Sequence, residues 1–128
     1  MSCSVRLRDS FRACLAACLL SLGAGSAPAH ALEPAVDQAA LDAGRAVASD
    51  RSRGNCYSCH MAAGAEMVGN GGPPLLQMKL RFPERAVLRA QIADPRVRNP
   101  NTVMPPYGAH GILSDQELEL LVDYIHSL

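Results

Sequence analysis

At 128 residues the chain has room for one small domain. Twelve lysines and arginines balance twelve aspartates and glutamates, so the chain lacks the basic stripe that a nucleic-acid partner demands. Aromatic residues make up 4% and tryptophan is absent, which excludes a core built on large aromatic side chains of its own.

The first segment reads as an export leader. Arg6, Arg8 and Arg12 form a basic start, Ala13 to Leu22 is apolar, and Ala29-His30-Ala31 supplies a small-x-small cleavage pattern. The expectation is a cleaved signal peptide over 1–31 and a mature domain over 32–128, located in the periplasm. The alternative, a membrane anchor, asks for a longer apolar run than this one, so no span is expected in the mature chain. Leu15-Ala16-Ala17-Cys18 has the look of a lipobox, but too little apolar sequence separates Arg12 from Cys18 to precede a lipidated cysteine. Cleavage removes Cys3, Cys14 and Cys18 and leaves Cys56 and Cys59, with no disulfide framework to build. It also leaves nine basic residues against eleven acidic ones, a net charge of −2.

Val36, Ala39, Ala40, Ala43, Val47 and Ala48 recur at helical spacing and predict a helix over about 37–49. Gly44 inside it costs roughly 1 kcal/mol relative to alanine, which suggests a close helix crossing there. Residues 50–55 then break the helix and lead into Cys56-Tyr57-Ser58-Cys59-His60.

Two cysteines three positions apart can each form a thioether to one haem vinyl group, with the following histidine offering an imidazole to the iron. A thioredoxin-like dithiol would need a βαβ context, and a zinc knuckle would need a second ligand pair at metal spacing. Neither is present, so Cys56 and Cys59 are read as covalent attachment points for one haem c and His60 as an axial ligand. A haem also explains how a short, aromatic-poor chain fills its core. The expected fold is all-α, short helices wrapped around one covalently attached haem.

Gly64, Gly69, Gly71, Gly72, Pro73 and Pro74 mark an irregular stretch. It is either a proximal wrap, in which a carbonyl near Pro73 accepts the His60 Nδ1 proton, or a flexible surface loop. Leu75, Leu76, Met78, Leu80 and Phe82 are candidate pocket or core residues. Pro83 and Glu84 suit the first turn of a helix that runs to Asp94-Pro95. Arg81, Arg85, Arg89, Arg96 and Arg98 give this region a basic side, either solvated or able to dock an acidic partner. Residues 94–113 are rich in proline and glycine and are expected to form the distal wall of the haem crevice. Ser114 with Glu117 forms a capping box, and Leu118, Leu121, Val122, Ile125 and Leu128 make one apolar stripe that should pack on the first helix near Gly44.

Candidates for the sixth iron position are Met61, Met67, Met78, Met104, His110 and His126. Met104 is favoured because Pro105 holds it extended, with His110 as its main rival and His110 and His126 otherwise surface residues. Two protein ligands leave outer-sphere electron transfer as the chemistry, with no catalytic residue in this chain.

Gly54 to His60, Gly72-Pro73-Pro74-Leu75, Arg81-Phe82-Pro83, Arg98-Asn99-Pro100 and Val103-Met104-Pro105-Pro106-Tyr107-Gly108 together resemble SoxX, the small monohaem cytochrome subunit of the sulfur-oxidation SoxAX complex. The resemblance covers most of the mature chain. It implies a class I cytochrome c fold with His60 and Met104 as ligands. It also implies a SoxA-like partner, joint work as an L-cysteine S-thiosulfotransferase on a SoxYZ-like carrier, and delivery of electrons to a downstream periplasmic acceptor. The small subunit is then the non-catalytic, electron-accepting one. The alternative is a free-standing soluble periplasmic electron shuttle. One departure from the wider class I pattern is Ala48, which stands where an aromatic residue usually follows the crossing glycine by one turn.

Overall fold

A computed structural model of the protein describes residues 37–128. The expected leader, its cleavage site and the lipobox lie outside the described residues. Four α-helices carry the fold: α1 (Gln38–Ser49), α2 (Met78–Arg81), α3 (Arg85–Ala93) and α4 (Asp115–Ser127). Short 3-10 turns occupy Cys56–Ser58 and Pro95–Val97. The described residues contain no β-strand, only an isolated parallel bridge between Ala62 and Leu75. The all-α class is therefore as expected.

Each long helix starts where its polar residues can satisfy the free amides of a first turn. The Asp37 carboxylate accepts from Ala39 N at 3.0 Å. Ser114 and Glu117 form the full reciprocal capping box at the start of α4. The middle helix differs from expectation: Pro83 stands before it, Glu84 takes the extended cap conformation, and α3 begins only at Arg85. The chain must first leave α2 through Phe82, whose φ of −132° is not helical, and a residue before proline is steered away from the α region.

α1 crosses α4 at Gly44. A Cβ there would stand 2.1 Å from the Leu120 carbonyl oxygen and 2.6 Å from Tyr124 Cβ, so only glycine permits this approach. Ala48, at the position one turn on, is fully buried. Leu118, Leu121, Val122, Tyr124 and Ile125 form the buried stripe of α4. Full burial of an aliphatic side chain contributes about 1.5–3 kcal/mol, so this stripe is the largest apolar contribution of any single element.

α3 is fastened to the outer side of α4 by charge. Arg85 pairs with Asp123 at 2.6 Å and Glu119 at 2.8 Å, and Arg89 pairs with Glu119 and, at 3.6 Å, Asp115. Arg96 pairs with Asp94, and the Arg98 guanidinium lies 5.6 Å from the centre of the Phe82 ring. The expected basic side is thus engaged in contacts within the domain. Of the candidate apolar residues before α3, Leu75 and Met78 are buried, but Leu76, ahead of α2, is exposed, and Leu80 is 76% exposed, because the single turn of α2 has only one face to bury. His126 is half-buried instead of a surface residue. Its Nε2 donates to the Phe82 carbonyl at 2.9 Å and ties the end of α4 to the end of α2.

Candidate haem site

The attachment turn grows out of the end of α1. The Asp50 carboxylate accepts from Ser52 N (2.8 Å), Ser52 Oγ (2.6 Å) and Arg53 Nε (2.7 Å). Those bonds, led by the Ser52 hydroxyl, hold its pKa down to about 2. Asn55 then adopts the left-handed conformation, φ 48°, which asparagine tolerates better than most residues. Beyond it the chain winds tightly, so that Cys59 N and His60 N both donate to the Cys56 carbonyl, at 3.2 and 2.9 Å. This winding gathers Cys56, Cys59 and His60 on one side. Cys59 is exposed and Cys56 half-buried, and neither is in a disulfide.

These residues line one cavity of about 540 Å³, and Met104 lines it too. Leu75, Phe82, Leu88, Ile92, Leu121 and Ile125 supply apolar wall, while Arg51, Arg53 and Arg81 bring charge to the lining. A large flat apolar group with acidic substituents fits such a cleft, and haem is one, so the residues present suit the cofactor.

The stretch after His60 is a wrap, not a loose loop. Gly69 N donates to Tyr57 O (2.8 Å), Gly72 N to Cys59 O (2.8 Å) and Leu75 N to Met61 O (2.7 Å). His60 Nδ1 lies 2.7 Å from the Pro73 carbonyl, as expected. A carbonyl only accepts, so Nδ1 carries the proton and Nε2 keeps its lone pair for a metal. Gly72 lies against the ring: a Cβ there would meet His60 Cε1 at 2.4 Å. Arg81 braces the same turn by donating to the Pro74 carbonyl at 2.5 Å.

The rivals for the opposite side separate by position. Met61 and Met67 are exposed and outside the lining, as is His110, which lies 3.0 Å from Arg96. His126 is outside it as well. Met78 does reach the cavity, but as a core residue 3% exposed, with its sulfur facing Arg81. Met104 is partly buried, on the irregular segment expected to form the distal wall.

Three features escaped the sequence reading. Tyr57 Oη and Tyr124 Oη are 2.7 Å apart, joining the attachment turn to α4. Burial, and then that hydrogen bond, raises the Tyr57 pKa. Pro106 and Tyr107 are buried within the irregular segment. The Tyr107 hydroxyl donates to the Gly54 carbonyl at 2.7 Å. A tyrosine among prolines in a short irregular segment gives no periodic signal, so its inward direction could not be read locally.

A helical frame around one cavity that collects two thiols, an oriented imidazole and a thioether defines a c-type cytochrome, a haem c protein of electron transfer. The chain belongs to the family described as cytochrome C oxidase, cbb3-type, subunit III, whose sequence profile matches residues 39–125. No curated protein matches the chain. The family match speaks to the cytochrome domain and not to the SoxX resemblance.

Proposed function

We propose that this chain is a periplasmic monohaem cytochrome acting as the SoxX-type small subunit beside a SoxA-like cytochrome. In this reading Cys56 and Cys59 would hold the haem by thioethers, and His60 and Met104 would bind its iron. The observation that carries the reading is the convergence of these four residues on one cavity. When bound, haem iron supplies a one-electron ferric–ferrous couple. The chain's own residues do the rest: Pro73 orients His60, the apolar wall excludes water, and the lining arginines offset the acidic substituents.

The partner joins the terminal sulfur of thiosulfate to a carrier cysteine, forming a sulfur–sulfur bond and releasing the thiol proton and two electrons. This chain accepts those electrons singly and passes them to a downstream periplasmic acceptor. It catalyses no bond change itself. Support for the narrower assignment comes from the Arg98-Asn99-Pro100 and Val103 to Gly108 blocks; Val103, Met104, Pro105 and Tyr107 of the second line the cavity. An obligate subunit should also expose apolar surface beside the cofactor, and Val103, Pro105 and Ile112 line the cavity while remaining exposed.

Size-exclusion chromatography and mass spectrometry of the native red periplasmic fraction test the assignment. Co-elution with a second cytochrome, and thiosulfate-dependent activity lost when the two are separated, is the expected result. A lone monomer that exchanges electrons with several proteins would overturn the subunit role and leave the shuttle.

A further inference from the structure

Met104 sits on a segment with few fastenings of its own. Thr102 N donates to Asn99 O at 3.0 Å and Met104 N to Thr102 Oγ1 at 3.1 Å, while Val103 is 89% exposed. Pro105 and Pro106 follow; lacking an N–H and fixed in φ, they transmit position instead of holding it. The next fastening is Tyr107, 8% exposed and on the cavity wall. Its hydroxyl donates to the carbonyl of Gly54, two residues before Cys56, so a single buried bond spans from the methionine loop to the loop of the thiols and the imidazole. Burial pushes the Tyr107 pKa up to about 12, leaving a neutral donor.

We propose that the Tyr107 hydroxyl is a positioning group for Met104: by binding the Gly54 carbonyl it sets the distance between the two ligand loops and keeps the thioether turned toward the iron. This rests on Met104 being the sixth ligand. No other side chain hydrogen bond joins residues 101–107 to residues 50–60 among the described residues. Loss of one such buried bond shifts a local equilibrium by about tenfold.

The test uses haem-loaded Tyr107→Phe, which keeps the ring and removes the hydroxyl. Haem-loaded Tyr57→Phe is the comparison, because its bond to Tyr124 fastens the attachment turn to α4 without touching the methionine loop. Readouts are the weak charge-transfer band of a methionine–ferric iron bond, the cyanide affinity of the ferric protein and the midpoint potential. The expected result is a weakened band, cyanide affinity raised about tenfold and a lowered potential in Tyr107→Phe. Tyr57→Phe should lose stability with band and affinity unchanged. Equal changes in both variants, or an unaltered band and affinity in Tyr107→Phe, would overturn the proposal. A wild-type protein that lacks the band would instead remove the ligand assignment, and this role with it. If Tyr107→Phe accumulates no haem, NMR of the ferrous wild type decides. A slowly exchanging Tyr107 hydroxyl proton near Gly54 is expected, and its absence overturns the role.

Discussion

The two loops that face each other across the cavity are built on opposite plans. Residues 50–75 are stitched to themselves: two backbone bonds tie the wrap to the attachment turn, a third closes the wrap on Met61, and Pro73 holds His60 from within the same loop. Residues 98–113 carry only short-span bonds of their own, such as Thr102 N to Asn99 O and Leu113 N to Tyr107 O, both 3.0 Å, and are tied to the rest of the fold near their middle, where Tyr107 binds Gly54 and the amides of Gly108 and Ala109 both donate to Ala93 O. A loop stitched across its own length holds its ligand chiefly through its own bonds. A loop hung from an anchor positions its ligand only as well as the anchor does. On the proposed ligation by His60 and Met104, the imidazole side would be the more firmly held half of the site and the methionine side the more readily exchanged one.

The largest expected effects come from removing each ligand. His60→Ala should prevent accumulation of a protein with a six-coordinate low-spin spectrum. Met104→Ala should keep the covalent haem, lose the methionine band and bind cyanide readily, with a lowered potential, all seen by spectroscopy and redox titration. Equal loss of attached haem in both variants would break the contrast between the halves.

Leu121→Ala cuts into the wall beneath both loops. Leu121 is 1% exposed and lines the cavity, so unfolding in urea should show a loss of about 2–5 kcal/mol in the holoprotein. Gly72→Ala sharpens the comparison by disturbing only the proximal half. Its Cβ would press on the His60 ring, with a stability loss of about 1–3 kcal/mol and an altered orientation of the imidazole in electron paramagnetic resonance, while the methionine band persists.

The smallest effect is the dependence on acid. Hydrogen bonds within the Asp50 turn hold that carboxyl at about 2, below its ordinary 3.8, and the Ser114 amide, with Arg53, holds Glu117 at about 2, below its ordinary 4.5. A lowered folded-state pKa contributes stability above the unfolded value and loses it as pH falls through the folded one. The contribution should be full above pH 4.5 and fade toward pH 2. Arg53 bridges both carboxylates, at 2.7 Å to Asp50 and 2.6 Å to Glu117, so the Asp50→Asn/Glu117→Gln pair should flatten acid unfolding in that window.

Much of this organisation was legible locally. The caps of α1 and α4, the crossing at Gly44 and the carbonyl near Pro73 follow from turn chemistry, helical period and the absence of a Cβ, all properties of a few neighbouring residues. Less was legible where short elements meet. Leu80 points outward because α2 is a single turn with no second face to bury, and α3 starts later than Pro83 suggested because Phe82 must first leave α2. Arg85 and Arg89 looked like a free basic side until α4 placed Glu119 and Asp123 opposite them.

By itself the sequence carried the reading of covalent attachment, since thiol spacing and the adjacent imidazole are written into five consecutive residues, and with it the helical class. Only the tertiary structure decided which methionines reach the cavity and what holds their loop. Those depend on Tyr107 meeting Gly54 across 53 positions of chain, and no local pattern encodes a contact that exists only after α1, α3 and α4 have packed.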